Sequence, residues 1–118
     1  DVYKRQLQYV GYPYVYGTAG PNTFDCSGFT YYVYSQFGYT LNRSSRDQVK
    51  NGVAISKEDL QQGDLVFFST NGQYPTHVGL YIGDNNIVHA STPQDGVKIS
   101  SLDTSYYMDN YFAARRIL

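Results

Sequence analysis

The sequence is poor in residues that would assign it to several common classes of protein. It has one cysteine and no tryptophan among 118 residues, and charged residues make up 16% of it. A single cysteine excludes an internal disulfide and weakens a zinc-finger interpretation. The formal net charge of −1 gives no electrostatic reason to expect nucleic acid or an anionic membrane surface as a partner.

Long apolar segments are missing as well. No apolar run approaches the ~18 residues that a membrane-spanning helix needs, and the first residues lack the apolar region of a signal peptide. We therefore expect no membrane insertion. The chain begins with Asp1 rather than Met, and its length is typical of one domain. We interpret residues 1–118 as a single domain excised from a longer secreted protein.

The first part of the chain carries helical signals. Tyr3, Leu7 and Val10 are spaced as one helical face, which Gly11 and Pro13 end. A loop rich in helix-breaking residues follows over residues 17–22.

A second and a third helix are predicted after this loop. Asp25 is a typical N-cap, and Phe29, Val33 and Phe37 then repeat at helical spacing up to the terminating Gly38. A shorter helix is expected to open at serines 44 or 45 and to run to residue 49.

From residue 60 the pattern changes to short apolar runs bounded by turn residues, which predict strands. The runs are GDLVFFS, HVGLYIG, NIVHAS, GVKIS and YFAARRIL, in that order. Helices that precede antiparallel strands define an α+β fold. We expect N-terminal helices packed on an antiparallel sheet of about five strands.

The single cysteine, Cys26, directly follows the predicted cap Asp25. A lone cysteine is usually a small buried apolar residue. In the first turn of a helix, however, unpaired N–H groups and the helix dipole favour an anion and lower the pKa of a thiol. The neighbours Ser27 and Gly28 are too small to cover the sulfur. The position therefore favours a nucleophile with a lowered pKa over a packing residue.

A thiolate nucleophile needs a base, and the two histidines, His77 and His89, both fall on one predicted hairpin. A three-residue loop, 83–85, would pair Leu80 with Val88 and make the two rings diagonal neighbours on one face. The same register puts the apolar residues of both strands on the opposite face: Val78, Leu80, Ile82, Val88 and Ala90.

Loop length decides this arrangement. A two- or four-residue loop would split the histidines onto opposite faces and put one of them in the core. The three-residue loop pairs Ile82 with Asn86 and Gly79 with His89, where the glycine leaves room for a ring. Two alternatives stay open: a zinc ion held by the cysteine and both histidines, and two unrelated surface histidines.

Taken together, these blocks resemble the NlpC/P60 family of papain-like cell-wall cysteine peptidases. The resemblance covers nearly the whole chain. It is carried by YPYVYGTAGPNTFDCSGFTYYVYSQFG, LNRSSRDQ, LQQGDLVFF, HVGLYIGDNNIVHA and YFAARRI. Tyr16, Thr18 and Asn42 depart from the pattern, since the family often has Trp, Gly and Pro there. The first two touch the loop beside the thiol, so we expect them to alter the shape of the subsites.

The resemblance implies a papain-like fold and a catalytic triad. Cys26 would be the nucleophile, His77 the general base, and His89 the residue that holds the His77 ring. The implied reaction is hydrolysis of peptidoglycan stem peptides between γ-D-glutamate and a diamino acid. A catalytically inactive peptidoglycan-binding module and a papain-like amidase or acyltransferase are the alternatives.

The resemblance also assigns roles beside the triad. Tyr14 would help to stabilise the oxyanion, and Asp25 and Ser27 would contact the amino end of the peptide. We expect no cofactor and no metal ion, a peptidoglycan stem peptide as partner, no nucleic acid, a monomer, and a location outside the cell or at the bacterial cell wall.

Overall fold

Three helices precede the strands, as predicted, and the α+β fold is confirmed; a fourth helix, between the last two strands, was not predicted. The computed structural model describes residues 2–117, with side chains described from Lys4 onward. The helices are α1 (Val2–Leu7), α2 (Cys26–Ser35), α3 (Ser45–Gln48) and α4 (Ser105–Asn110), with a 3₁₀ turn at Lys57–Asp59. The strands are β1 (Val53–Ala54), β2 (Leu65–Phe68), β3 (His77–Gly83), β4 (Asn86–Ala90), β5 (Val97–Ser101) and β6 (Tyr111–Arg116). Within the described range, no helix has the length and apolar character to span a membrane.

One antiparallel sheet holds all the described strands, in the order β1-β6-β2-β3-β4-β5. The sheet has six strands rather than the expected five. The additional strand is β1, whose Val53 pairs with Arg116 at the edge. Two residues are too few to show an alternating pattern, which explains why the sequence did not predict this strand.

Helix α2 forms as predicted. The Asp25 carboxylate accepts a hydrogen bond from the backbone N–H of Gly28 at 2.6 Å, so the predicted N-cap is confirmed. Phe29 and Val33 are fully buried on the inward face. Gly38 ends the turn with a positive φ of 86°, a conformation that glycine adopts without strain.

The prediction for α1 was wrong in part. The helix ends at Leu7, and Leu7 and Val10 are exposed by 36% and 44%. Gln6 is fully buried instead, and the Tyr9 ring packs edge-on against Phe24 at 5.5 Å. The inward face is therefore set by aromatic packing around Tyr9 rather than by the aliphatic spacing. The Tyr3 side chain, also assigned to that face, lies outside the described residues.

The two faces of the sheet have different partners. One face packs on α2 and forms the main core, which includes Phe24, Phe29, Val33, Tyr34, Leu65, Phe67, Val78, Leu80, Val88 and Ala90. The other face carries a smaller cluster of Val66, Phe68, Ile87 and Leu102. The predicted core side of the hairpin is confirmed, and Ile82 also packs on it.

The hairpin between β3 and β4 has the predicted register, but its turn differs from the predicted one. Its turn has two residues, Asp84 and Asn85, both with positive φ, and Gly83 pairs with Asn86. The predicted three-residue loop and the pairing of Ile82 with Asn86 are therefore wrong. A β-bulge between Tyr81 and Gly83 adds one residue to β3. Because this extra residue offsets the shorter turn, Leu80 still pairs with Val88, as predicted.

Candidate active site

Cys26 lies where the start of α2 meets the start of β3. It is the first residue of the helix, and its side chain is partly exposed. The thiol and the first histidine line the same cavity. The backbone N–H of Val78, the residue after His77, lies close enough to the sulfur to favour its ionised form.

The first turn of α2 is held from behind by α3. The Gln48 side chain is fully buried and donates to the carbonyl oxygen of Ser27 at 2.9 Å, while its own oxygen accepts from the Thr30 hydroxyl at 2.7 Å. A side chain at Gly28 would collide with the carbonyl oxygen of Thr18. Glycine is therefore required after Ser27, because the preceding loop packs directly on the helix backbone.

The two histidine rings meet, as the sequence predicts. His77 Nε2 lies 2.7 Å from His89 Nδ1, and the rings are nearly perpendicular. A Cβ atom at Gly79 would lie 3.2 Å from His89 Cβ, so glycine gives the second ring its space. Since Nε2 of His77 is engaged by His89, Nδ1 is the ring nitrogen that remains for the thiol.

Burial keeps both imidazole rings neutral. It lowers the pKa of His77 to about 4. It also lowers the pKa of His89 to about 3, and the protonated form of His77 and the Lys98 ammonium would add to the effect by repulsion. At neutral pH, His77 therefore carries a free lone pair and can accept a proton.

The pKa of the Cys26 thiol differs from the one predicted from the sequence. Burial raises the pKa of Cys26 above its ordinary value, and the Asp25 carboxylate adds to the rise. The N–H groups of Val78, Ser27 and Cys26 act in the opposite direction without offsetting it. The predicted lowering of this pKa is therefore wrong for the unliganded protein, because desolvation outweighs the donors at the helix start. The resting pair is a neutral thiol beside a neutral imidazole.

Asp25 connects the helix start to a cation that the sequence analysis did not single out. Arg43 binds the Asp25 carboxylate through two nitrogens, at 3.2 and 3.0 Å, and also donates to the Ser27 hydroxyl at 3.0 Å. The same carboxylate accepts from the backbone N–H of Gly17 at 2.9 Å. The Asp25 side chain is 11% exposed, whereas the Arg43 side chain is 41% exposed. The buried acid thus holds a partly exposed guanidinium.

Two adjoining cavities open beside the sulfur. Both are lined by Tyr14, Cys26 and Thr76. The first, of about 470 Å³, is called here the Arg43 cavity and is further lined by Tyr16, Gly17, Asp25, Ser27, Arg43, Ser44 and Ser45. The second, of about 420 Å³, is called the His77 cavity and is further lined by Thr70, His77, Ser91, Thr92, Tyr106 and Tyr107.

Tyr14 stands at the junction of these cavities. Burial, reinforced by the acidic groups of Cys26 and Asp25, raises the pKa of Tyr14 above its ordinary value. Its hydroxyl therefore stays protonated at neutral pH and can donate a hydrogen bond. Among the residues that the structure describes, no group of three or more His, Cys, Asp or Glu side chains is arranged to hold a metal ion.

The NlpC/P60 family model matches residues 11–116. The chain belongs to the NlpC/P60 family. This match confirms the resemblance noted from the sequence, and it includes all of the candidate site residues.

Relatives and solved structures agree with this assignment. The chain is 40% identical to a gamma-D-glutamyl-L-lysine dipeptidyl-peptidase from Bacillus cereus, over 100% of this chain and 36% of that protein. It is 44% identical to the probable endopeptidase NlpC of Escherichia coli, over 95% of this chain and 74% of that protein. A crystal structure of an NlpC/P60 family protein from Bacillus cereus superposes with a TM-score of 0.96 at 41% identity, covering 100% of this chain and 39% of that one. The chain thus spans little more than a third of the Bacillus cereus proteins.

Residues of the site that the sequence did not reveal include Arg43, Gln48 and Tyr107. They also include Ser100, whose hydroxyl lies 2.8 Å from His89 Nε2. Arg43 and Gln48 lie within the block LNRSSRDQ, which carried the family resemblance without individual roles. Ser100 and Tyr107 follow the last histidine by more than ten positions, and no local motif marks them.

The raised thiol pKa predicts how Cys26 responds to pH. Only the thiolate reacts with iodoacetamide, so the alkylation rate should reach its midpoint above the ~8.5 of a free thiol. Cys26 is the single cysteine, so the label reports it alone. His77→Asn is the control, and it should leave the midpoint nearly unchanged because the resting ring carries no charge. A midpoint well below that of free cysteine, lost in His77→Asn, would instead establish a resting thiolate–imidazolium pair.

Proposed function

We propose that this domain is a cysteine endopeptidase that hydrolyses peptidoglycan stem peptides at the bond between γ-D-glutamate and a diamino acid. The observation that carries the proposal is the position of Cys26 between two chemically different cavities, one with a guanidinium and one with the base. The name of the Bacillus cereus relative, a gamma-D-glutamyl-L-lysine dipeptidyl-peptidase, supports the choice of bond.

The position of the base orients the substrate. The leaving amine must receive its proton from His77, so the diamino acid belongs in the His77 cavity. The acyl part of the substrate then extends into the Arg43 cavity. The His77 cavity is lined mainly by hydroxyl groups and tyrosine rings, which suit a polar side chain on the leaving group.

Arg43 supports recognition of the γ-linkage. When glutamate is linked through its γ-carbonyl, its α-carboxylate stays free at the far end of the glutamate chain, on the carbon that also bears the acylated nitrogen. Guanidinium groups bind carboxylates strongly and with defined geometry. An α-linked glutamate also keeps a free carboxylate at the far end of its carbon chain, but its acylated nitrogen then sits on the carbon next to the scissile carbonyl. Because only the γ-linked isomer presents the carboxylate to Arg43 with the acylated nitrogen beside it, the Arg43 cavity favours that isomer.

The reaction follows from the resting protonation state. His77 Nδ1 takes the thiol proton as the sulfur of Cys26 attacks the γ-carbonyl carbon, and the carbonyl π electrons move to oxygen. The imidazolium then gives this proton to the leaving amine as the C–N bond breaks. In the second half, His77 deprotonates a water molecule that attacks the thioester. The C–S bond breaks, the acid is released, and the thiolate recovers its proton from His77.

Two donors are available for the developing oxyanion. The backbone N–H of Cys26 lies at the start of α2, where the helix dipole favours negative charge. Tyr14 offers a protonated hydroxyl at the junction of the two cavities. We propose that both stabilise the tetrahedral intermediate.

Direct contact of Asp25 and Ser27 with the amino end of the substrate stays a prediction. Both side chains line the Arg43 cavity, but both are already bound to Arg43. A substrate amine would have to share the Asp25 carboxylate with the guanidinium. The same two side chains serve the substrate indirectly by fixing the position of Arg43.

Every group used in this mechanism comes from one chain, so a monomer without cofactor or metal suffices. A peptidoglycan substrate requires that the domain act where the bacterial wall is exposed, in secreted form or at the cell wall itself. We therefore propose an extracytoplasmic location.

The linkage preference can be measured on two synthetic peptides of identical composition. One has γ-D-Glu joined to L-Lys, and the other has α-L-Glu joined to L-Lys. We expect kcat/KM to be at least about a hundredfold higher for the γ-linked peptide, because only this isomer carries its free carboxylate and its amino nitrogen on one carbon, away from the scissile carbonyl. Products are identified by mass spectrometry, with Cys26→Ala as the inactive control.

Other outcomes would contradict the proposal in distinguishable ways. Binding of purified peptidoglycan without any product indicates an inactive binding module. Cleavage or transfer at a different amide indicates an amidase or acyltransferase, and equal cleavage of both isomers removes the role given to the Arg43 cavity.

The role of the α-carboxylate can be tested on the substrate itself. Converting this carboxylate to an amide should lower kcat/KM by about ten- to a hundredfold, since a charge-assisted hydrogen bond contributes about 1.5–3 kcal/mol. Amidation of the remote C-terminal carboxylate is the matched control and should have little effect. An equal decrease in kcat/KM for the two modified substrates would show that the guanidinium does not recognise the α-carboxylate.

A further inference from the structure

The hydrogen-bond chain that begins at His77 does not end at His89. The other ring nitrogen of His89, Nε2, lies 2.8 Å from the Ser100 hydroxyl and 3.4 Å from the Tyr107 hydroxyl. Ser100 belongs to β5, where the β4–β5 register makes it a diagonal neighbour of His89 on the same face. It therefore lies behind the second histidine, on the side away from His77.

This chain of neutral groups can be protonated in two directions. In the first, His89 Nε2–H donates to Ser100, His77 Nε2–H donates to His89, and His77 Nδ1 is left with its lone pair. In the second, a hydroxyl donates to His89 Nε2, His89 Nδ1–H donates to His77, and His77 carries its proton on Nδ1. Only the first direction leaves His77 able to accept the thiol proton.

We propose that Ser100 is a positioning residue that selects the productive direction by accepting the Nε2–H bond of His89. The inference rests on the proposed function for its catalytic consequence, but the protonation pattern itself does not depend on any substrate. Ser100 sets the tautomer of His89, and His89 in turn sets the tautomer of His77.

The surroundings of His89 agree with this role. The ring is fully buried and packs edge-on against Tyr107 at 5.6 Å between ring centroids. Lys98 lies opposite His89 in the β4–β5 ladder, with its ammonium 3.0 Å from Asp95. Its positive charge disfavours an imidazolium at His89. The His89 ring therefore stays neutral and orients the His77 ring without taking up the thiol proton.

Ring protonation can be read directly from long-range ¹H–¹⁵N correlation spectra of the ¹⁵N-labelled domain without substrate. The chain has two histidines, so assignment requires one variant. We expect both rings as Nε2–H tautomers in the wild type. In Ser100→Ala, the Tyr107 hydroxyl becomes the remaining partner of Nε2, and a measurable fraction of both rings should shift to Nδ1–H.

Kinetics provide the second readout. Ser100→Ala should lower kcat on the γ-linked peptide by about tenfold, the net effect of one hydrogen bond on an equilibrium. KM should stay unchanged because Ser100 contacts the base system and not the substrate. Ser100→Thr keeps a hydroxyl and should restore both kcat and the tautomers. Ser101→Ala is the matched control on the same strand, since its hydroxyl accepts from the Asp103 backbone N–H.

Several results would overturn the inference. A wild-type spectrum with His77 as the Nδ1–H tautomer does so even if Ser100→Ala fails to fold. Unchanged tautomers and unchanged kcat in a folded Ser100→Ala variant do so as well. If the predicted tautomers are present but the wild type cleaves no γ-linked peptide, the proposed function fails while the assignment of Ser100 stands.

Discussion

The hydrogen bond between His77 and His89 depends on a single extra residue in β3. The two-residue turn alone would place the rings on opposite faces of the sheet, and the bulge before Gly83 brings them back together. The same offset keeps Val78, Leu80, Val88 and Ala90 in the main core. Core packing and the geometry of the base are therefore set by one register. A one-residue shift in the pairing of β3 and β4 would expose these buried aliphatic side chains and separate the two histidine rings. The packing of the core therefore also stabilises the arrangement of the histidines.

The other half of the groove is built from a different element. Asp25 caps α2, binds the backbone of the preceding loop and holds Arg43, so one buried carboxylate sets both the helix start and the cation of the Arg43 cavity. Cys26 is next in sequence to this carboxylate and next in space to the start of β3. The thiol thus joins a recognition half, organised by the helix cap, to a catalytic half, organised by the hairpin. The chemistry requires both halves, and α2 and the hairpin share the main core.

The sequence predicted those features that short-range patterns determine. The Asp25 cap, the buried face of α2 and the opposite faces of the hairpin each depend on spacing within a few residues, and each is confirmed. The predicted length of the hairpin turn was wrong because a bulge with a short turn produces the same alternation of side chains as a longer loop. Arg43 lies 18 positions from Asp25, and Ser100 lies 11 from His89. Contacts of this kind depend on how separate elements pack, which no local pattern encodes. The predicted direction of the thiol pKa shift was wrong for a related reason. The position of Cys26 at the start of a helix is visible in the sequence, whereas the burial of its side chain in the packed fold is not.

The most direct test of the account is detection of an acyl group on Cys26. A γ-D-glutamyl phenyl ester has a better leaving group than an amide, so acylation should be fast and hydrolysis of the thioester should become the slow step. After rapid acid quenching, the intact mass of the wild-type domain should rise by the mass of the γ-D-glutamyl acyl group, and peptide mapping should locate that group on Cys26. His77→Ala should give no adduct, because it lacks the base that removes the thiol proton. Release of phenol by the wild type with no adduct on Cys26 at any quench time would contradict the central claim.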